Sequence, residues 1–172
     1  AQGGSAQGVS LVGSDEELRR AMVLAYTYCD VALVEQRIIG TEICIGVIDT
    51  GDGPVALPAV EIEPKSGVYG FEARYNAGET RFYAPARIDE SIAARATEVA
   101  LAAHDALGLR HLSRIDMMID GAGTPWFLEA SVMPGLTETS TLALALEAAG
   151  HDVGWVYAEL AHTALRDAAT GR

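Results

Sequence analysis

Apolar residues recur at helical spacing in four stretches of the chain, and each stretch predicts an amphipathic helix. The first helix begins at Ser14, whose side chain can form a capping box with Glu17 three residues later. Two of the others end at a glycine, Gly108 or Gly150, the residue that most often follows a helix. The predicted helices cover residues 15–28, 91–107, 139–149 and 153–168.

Shorter runs of apolar and β-branched residues lie between these helices and predict strands. The runs "EICIGVID" (42–49) and "VALPAVEIE" (55–63) flank "TGDG", which is typical of a hairpin turn. Further strands are predicted at 31–36, at 81–86 and on both sides of "DGAGTP" within 113–135. Helices and antiparallel hairpins mixed along one chain predict an α+β fold, a mainly antiparallel sheet with flanking helices.

The stretch "PKSGVYGFEARYNAGET" (64–80) has several glycine or proline positions and no sustained period, so it predicts a long loop. Its three aromatic residues argue against disorder. Long loops inside compact domains are often functional lids, and this is the interpretation adopted for it.

The segment "SRIDMMIDGAGTPWFLEASVMPG" (113–135) places two carboxylates in otherwise apolar strands. A turn centred in the middle of "DGAGTP" makes residues whose numbers sum to 245 face each other. Asp116 then lies opposite Glu129, and Arg114 lies opposite Ser131. One face therefore carries Arg114, Asp116, Met118, Phe127, Glu129 and Ser131, and the other is a pure core face of Ile115, Met117, Ile119, Trp126, Leu128 and Ala130.

Directly opposed carboxylates on neighbouring strands repel each other, so this pair requires an explanation. Arg114, one pair away on the same face, offsets part of the repulsion. A divalent cation between the two acids would offset more, and Mg²⁺, which prefers oxygen ligands, usually brings a phosphate with it. The alternative is that both carboxylates point to solvent across the open face of the hairpin.

The composition disfavours some kinds of partner and location for this protein. The chain has 172 residues, of which 49 % are apolar, enough for one sizeable core. Its formal charge of −12 disfavours nucleic acid and anionic membranes as partners. No apolar run approaches the length of a membrane span and no signal peptide is recognisable, so a cytoplasmic location is expected. The two cysteines, Cys29 and Cys44, are interpreted as buried free thiols.

Four segments in order resemble the ATP-grasp ligases, and specifically the D-alanine–D-alanine ligases. "SRIDMMIDGAGTPWFLEASVMPGLTETS" is similar to their metal-binding end, which carries an R-[IV]-D strand, a turn and an E-[AV]-N-x-x-P-G strand end. "VALVEQRIIGTE" resembles their hinge strand, "KSGVYGFEARYNAGET" their mobile loop and "GGSAQGVS" their glycine-rich loop. The resemblance implies the C-terminal lobe of the ATP-grasp fold over 31–172, preceded by the tail of the central subdomain over 1–30, with a hinge near 35–40.

The resemblance also implies a reaction. ATP phosphorylates the carboxylate of one D-alanine, and the amine of a second D-alanine attacks the acyl phosphate, giving a dipeptide for peptidoglycan precursor synthesis, ADP and phosphate. Asp116, Glu129 and Ser131 match the metal ligands for two magnesium ions, for which manganese could substitute. Arg114 and the backbone N–H of Gly135 match the groups that stabilise the oxyanion. Ser140 matches the residue that holds the carboxylate of the second D-alanine.

The nucleotide-binding residues follow from the same resemblance. Glu35 and Glu42 match the acids that bind the nucleoside, although by pattern they could equally be strand-edge acids. The main chain from Gln36 to Ile38 matches the adenine-reading segment. Arg74 stands where the family has a lysine that contacts phosphate.

The lid and the oligomer also follow from the resemblance. Ser5 matches the serine that bonds the loop tyrosine, here Tyr75, and so closes the lid over the reactants. The family usually dimerises through its N-terminal region, which implies that the complete enzyme is a homodimer.

The chain departs from the family pattern at three points. Ser131 replaces a metal-ligating asparagine, so its contact to the metal could run through water. Arg74 keeps the charge of the lysine it replaces but not the compact ammonium group. The chain also begins directly after the point where the family has a K-P dipeptide, so the family's N-terminal domain is expected to be missing and the chain is expected not to ligate by itself. The alternatives are an ATP-grasp ligase for other carboxylic and amino acids, or a non-catalytic nucleotide- or partner-binding module.

Overall fold

A computed structural model describes residues 4–171 of the chain. Gly3, the first residue of the glycine-rich segment named above, lies outside this range. The helices and strands are α1 (Asp15–Tyr26), β1 (Gly40–Ile48), β2 (Val55–Ala56), β3 (Val60–Pro64), α2 (Phe71–Tyr75), β4 (Thr80–Tyr83), α3 (Glu90–Ala106), β5 (Leu112–Asp120), β6 (Pro125–Ser131), α4 (Thr141–Ala148) and α5 (Val153–Thr170).

The chain forms two compact units. Residues 4–38 and 63–81 belong to the first, and residues 39–62 and 82–171 belong to the second. The expected division at residue 30 between two family subdomains remains a prediction.

The first unit contains the glycine-rich loop, α1 and α2. Ser14 caps α1 by accepting a hydrogen bond from the Glu17 backbone N–H at 3.3 Å. The Glu17 carboxylate in turn accepts from the N–H of Gly13 at 2.7 Å, one residue before the cap. Both hydrogen bonds of the expected capping box are thus present. The Glu17 carboxylate, however, accepts from the N–H of Gly13 and not from that of the cap residue Ser14.

The sheet has the strand order β4-β3-β1-β5-β6, with β2 also paired to β1. Strands β1 and β5 pair antiparallel along their whole length, from Gly40 opposite Asp120 to Ile48 opposite Leu112. Gly40 permits the close approach at the start of this ladder, because a Cβ there would lie 1.8 Å from the carbonyl oxygen of Ile119. The α+β fold with a mainly antiparallel sheet and flanking helices is therefore confirmed.

Alternation along β1 and β5 divides their side chains between the two faces of the sheet. One sheet face packs against α3. The opposite face contacts α4, where Leu142 lies against Gly46. The apolar core on the α3 side consists of Ile43, Ile45, Val47, Ala59, Ala96, Ala100, Ile115, Met117 and Ile119.

Most predicted elements are confirmed, but three differ. The run 31–36 is not a strand: residues 29–39 have neither helix nor strand, and most of them are exposed. The single strand expected at 55–63 is two short strands, β2 and β3, on either side of residues 57–59. The loop 64–80 contains the five-residue helix α2. Among the helices described between residues 4 and 171, none combines the length and the apolar character that a membrane span requires.

The predicted register of the β5–β6 hairpin is correct at its open end and wrong nearer the turn. A bulge between Asp116 and Met117 shifts the pairing by one residue, so that Met117 faces Phe127 and Met118 faces Trp126. Leu128 falls between the two registers and has no partner in the ladder. The expected faces of Trp126 and Phe127 are therefore wrong, and so is the expected pairing of Leu128 with Met117. All three residues are about half exposed.

Candidate functional site

The two acids singled out in the hairpin face each other. Asp116 on β5 pairs with Glu129 on β6, and Arg114 pairs with Ser131 two residues along the same strands. Both pairs precede the bulge, so all four side chains share one face of the sheet. Asp116 is 4 % exposed, whereas Glu129 is exposed on the edge strand. The structure therefore brings the two carboxylates together, as the hairpin pattern predicts, and it adds that one is buried and the other exposed.

Arg114 compensates the buried member of this pair. Its Nε donates to Asp116 Oδ1 at 2.6 Å and its terminal Nη2 donates to Oδ2 at 2.7 Å, a bidentate bridge between two largely buried side chains. Burial lowers the pKa of Arg114, but the hydrogen bonds and charge of Asp116, with smaller contributions from Cys44 and Glu129, outweigh it and raise that pKa above its ordinary value. Arg114 thus remains a fixed positive charge beside the two acids.

Strand β1 supplies two more residues to this face. Cys44 pairs with Asp116, and Glu42 pairs with Met118, the next position on the same side. Burial, followed by the charge of Asp116, raises the pKa of the Cys44 thiol to about 12. The thiol therefore stays protonated and serves as a small buried group, as expected; Cys29 is only partly buried, and neither cysteine forms a disulfide.

The N-terminus of α4 also lies near this face. Ser140 is the N-cap and accepts a hydrogen bond from the Ala143 N–H at 3.3 Å. A Cβ placed on Gly135 would lie 3.5 Å from the Cβ of Ser140, so these two predicted site residues are neighbours. The next residue, Thr141, lies close enough to the Cys44 thiol to oppose part of the rise in its pKa. Positive helix-dipole charge and unpaired N–H groups make this end of α4 suitable for an anion.

The donor set on the face suits a hard divalent cation. Both acids offer carboxylate oxygens, and the oxygens of Asp116 have acceptor sites beyond the two that Arg114 uses. The Ser131 hydroxyl lies at the level of Arg114, one pair away from the acids. Within residues 4–171 there is no cluster of three or more histidine, cysteine or acidic side chains that could hold a metal without help. A magnesium ion here would depend on additional oxygens, such as phosphate or water.

In the first unit, the glycine-rich loop contacts helix α2. Ser5 Oγ and Tyr75 Oη are 2.6 Å apart, a hydrogen bond that joins the glycine-rich loop to α2 across 70 positions of sequence. Ser5 and Ala6 adopt left-handed conformations with φ of 60° and 57°, which is strained for residues with a side chain. The loop and the segment around α2 border an open cleft of about 560 Å³. Its walls include Gly8, Tyr28, Val68 and Glu72.

Arg74 and residues 35–38, which are also expected at a nucleotide site, differ in how they are held. Arg74 is held within its loop: its Nε donates to the Tyr69 carbonyl at 3.3 Å and its guanidinium stacks 4.2 Å from the Tyr69 ring centre. Glu35 and Gln36 are exposed, and Ile38 is partly buried, all in a stretch without regular structure. Of the predicted site residues, Ser5 and Tyr75 are hydrogen-bonded in the first unit. In the second unit, Arg114 is bonded to Asp116, which lies opposite Glu129.

Two residues of the site face were missed by sequence reasoning. Cys44 lies in an unbroken apolar strand, where nothing distinguishes a site residue from a core residue, and it was interpreted only as a buried thiol. Thr141 follows a predicted site residue, but its position near Cys44 depends on α4 packing against β1. Neither has a signal in sequence spacing, because both depend on which element packs over which.

Comparisons of sequence and of structure with known proteins match the same kind of ligase over most of the chain. A family model described as "D-ala D-ala ligase C-terminus" matches residues 1–164. A D-alanine–D-alanine ligase of Pelotomaculum thermopropionicum is 41 % identical over 147 residues, which cover 86 % of this chain and 46 % of that protein. The VanG D-Ala:D-Ser ligase of Enterococcus faecalis superposes with a TM-score of 0.82 at 29 % identity, over 93 % of this chain and 46 % of that one.

A D-alanine–D-alanine ligase of Bacillus anthracis superposes with a TM-score of 0.79 at 26 % identity, covering 95 % of this chain and 52 % of that one. The chain therefore spans about half the length of the relatives it matches.

Proposed function

Because the chain belongs to the family of D-alanine–D-alanine ligase C-terminal domains, we propose that it provides the catalytic lobe of an ATP-dependent ligase that joins two D-alanines for peptidoglycan precursor synthesis. The relatives are about twice as long as this chain, so the proposed reaction is that of a polypeptide with both halves. Such a ligase would act in the cytoplasm as a homodimer.

The observation that carries this proposal is the pairing of Asp116 with Glu129 beside Arg114. Two opposed acids on one sheet face are unfavourable without a counter-charge. Arg114 neutralises the buried acid, and the exposed acid lies on the edge strand, where a cation that arrives with a nucleotide can reach it. We propose that Asp116 and Glu129 hold magnesium, with Ser131 reaching it through water. Bound there, magnesium would neutralise the charge of the ATP phosphates as phosphate is transferred.

The other groups near this face would bind the two substrates and the reaction intermediate. Arg114, with its permanent charge, would face the acyl phosphate and the oxygen that becomes negative when the second amine attacks. The Gly135 N–H would donate to that same oxygen. Ser140, at the N-terminus of α4, would hold the carboxylate of the second D-alanine. The attacking amine forms the new C–N bond, phosphate leaves from the tetrahedral intermediate, and the amine loses a proton.

The first unit would bind the nucleotide. Backbone N–H groups of the strained loop around Ser5 and Ala6 can cradle phosphate oxygens, and Arg74 would add positive charge. Glu35 would accept hydrogen bonds from the ribose hydroxyls, while the backbone of 36–38 would bind adenine. Glu42 belongs to β1 of the second unit, and its expected role towards the nucleoside remains a prediction. The bond between Ser5 and Tyr75 would hold the lid closed, which keeps water from the acyl phosphate.

The proposal is tested with two proteins. One is this chain; the other joins it to the N-terminal half of the Pelotomaculum thermopropionicum relative. Phosphate release from ATP and D-alanyl-D-alanine formation are measured with D-alanine and Mg²⁺. We expect one phosphate per dipeptide from the joined protein and no dipeptide from the chain by itself. A joined protein that is folded but inactive, while the relative is active in the same assay, would contradict the proposal.

The acceptor is tested separately, because one structural neighbour is a D-Ala:D-Ser ligase. D-serine and D-lactate are each offered together with D-alanine, and the products are identified by mass. We expect the mixed products to remain minor beside D-alanyl-D-alanine. A dominant mixed product would keep the ligase chemistry but change the substrate.

Tyr75→Phe is expected to uncouple the reaction. The variant loses the hydroxyl that bonds Ser5 but keeps the ring that contacts Phe71 with 4.8 Å between centroids. One net hydrogen bond corresponds to about a 2- to 10-fold change in the closed population, so dipeptide formation should fall by about that factor and more ADP than dipeptide should appear. Ser5→Ala should give the same result, whereas Tyr26→Phe, which removes an exposed hydroxyl, should not. Unchanged coupling in Tyr75→Phe would refute the lid function of this bond.

A further inference from the structure

The hydroxyl of Tyr157 on α5 is unusually placed. Its oxygen has less than 1 Å² accessible to solvent, yet it has no hydrogen-bond partner among residues 4–171. A buried polar group without a partner costs about 1–3 kcal/mol, and phenylalanine would fill the same space without that cost. A tyrosine here therefore calls for a function beyond packing.

Ser140 is the polar side chain that acts on this hydroxyl. Helix α5 packs against α4, whose N-cap is Ser140. Burial raises the pKa of Tyr157, and the Ser140 hydroxyl partly opposes that rise, although the two groups do not reach hydrogen-bonding geometry. The Ser140 oxygen already accepts a long bond of 3.3 Å from the Ala143 N–H. It can accept one more bond while its own hydrogen remains available to donate.

We infer that Tyr157 is a positioning residue for the second D-alanine: its buried hydroxyl donates to the Ser140 oxygen, and this directs the Ser140 O–H at the substrate carboxylate. The inference rests on the proposed function, since it takes Ser140 as the residue that holds that carboxylate. In this relay the Ser140 side chain turns when the anion binds, so that its oxygen accepts the bond from Tyr157. The buried tyrosine hydroxyl then gains the partner that it otherwise lacks.

The direction of this relay follows from the charges. The carboxylate can only accept hydrogen bonds, so Ser140 must donate to it. Ser140 must then take its remaining bonds as an acceptor, from the Ala143 N–H and from the Tyr157 O–H. Donation from Tyr157 polarises the Ser140 hydroxyl and strengthens its bond to the anion. A phenylalanine at 157 would leave Ser140 free to rotate its hydrogen away from the substrate.

The test is Tyr157→Phe in the joined two-half enzyme, with steady-state kinetics in which D-alanine is varied at saturating ATP and ATP is varied at saturating D-alanine. We expect the KM for the acceptor D-alanine to rise by about 2- to 10-fold, the range of one net hydrogen bond, while the KM for ATP stays the same. Thermal unfolding should be unchanged or shifted upwards, because the variant removes a buried hydroxyl without a partner. A solely structural residue would leave the KM for D-alanine unchanged.

The control is a double-mutant cycle with Ser140→Ala. If Tyr157 acts through Ser140, Tyr157→Phe should raise the KM for D-alanine no further in the Ser140→Ala background. An equal rise in both backgrounds, or no rise in Tyr157→Phe by itself, would overturn the inference. An enzyme that is inactive before any substitution at 157 would overturn the proposed function and this residue's role with it.

Discussion

Glu129→Gln in the joined enzyme is expected to lower the rate of ligation by at least about 100-fold, since loss of even an outer-shell partner of a metal ligand typically costs 10- to 100-fold. Glutamine keeps the size of the side chain and one oxygen, but it removes the negative charge that would attract magnesium. The same change removes the repulsion with Asp116 across the hairpin, so folding stability should be equal or higher by about 0.2–1 kcal/mol. Phosphate release and urea unfolding measure the two effects.

The matched control is Glu98→Gln on the exposed side of α3, which changes the net charge by the same amount away from the hairpin. It should retain the rate of the unmodified enzyme. Raising the Mg²⁺ concentration should recover part of the activity of Glu129→Gln, since a weakened site is filled at higher metal concentration. Normal turnover at low Mg²⁺ in this variant would show that Glu129 is not a metal ligand.

The pairing of the two acids could be predicted because the turn sequence and the apolar alternation constrain the register together. The bulge could not be predicted in the same way. Strand β6 lies at the edge of the sheet, where one neighbour fixes the ladder and an extra residue such as Leu128 is accommodated at little cost. Trp126 is fixed by a local contact instead, because its ring N–H donates to the Asp120 carboxylate at 2.9 Å.

Local pattern failed where tertiary contacts decide the conformation. The apolar run 31–36 has strand composition but no strand partner in the described chain, and a strand forms only with a neighbour. Helix α2, "FEARY", is too short to be stable from propensity. It is held by Thr80, whose hydroxyl donates to the Ala73 carbonyl at 2.6 Å, and by the bond from Tyr75 to Ser5. Neither contact can be read from the local pattern of apolar and polar residues on which the prediction relied.

Arg114→Leu is expected to destabilise the sheet unit by about 3–5 kcal/mol, the usual result of removing one partner from a buried ion pair. Asp116 would keep its place inside the sheet with both carboxylate oxygens deprived of the bidentate guanidinium. Tryptophan fluorescence during urea unfolding of the chain measures this effect, because Trp126 and Trp155 both belong to the unit that contains the pair. Arg110→Leu, an exposed arginine nearby in sequence, should change the stability by less than about 0.5 kcal/mol.

A second substitution separates loss of the pair from loss of packing. In Arg114→Leu with Asp116→Leu, no unpaired charge remains, and replacing a whole buried pair by apolar groups is often neutral. Most of the stability lost in the single variant should therefore return, while ligation in the joined enzyme should stay abolished, because both the fixed positive charge and a proposed metal ligand are gone. Such a result would mean that the pair is kept for catalysis and not for stability. A double variant less stable than Arg114→Leu would instead mean that the guanidinium and carboxylate hold the β1–β5 face together.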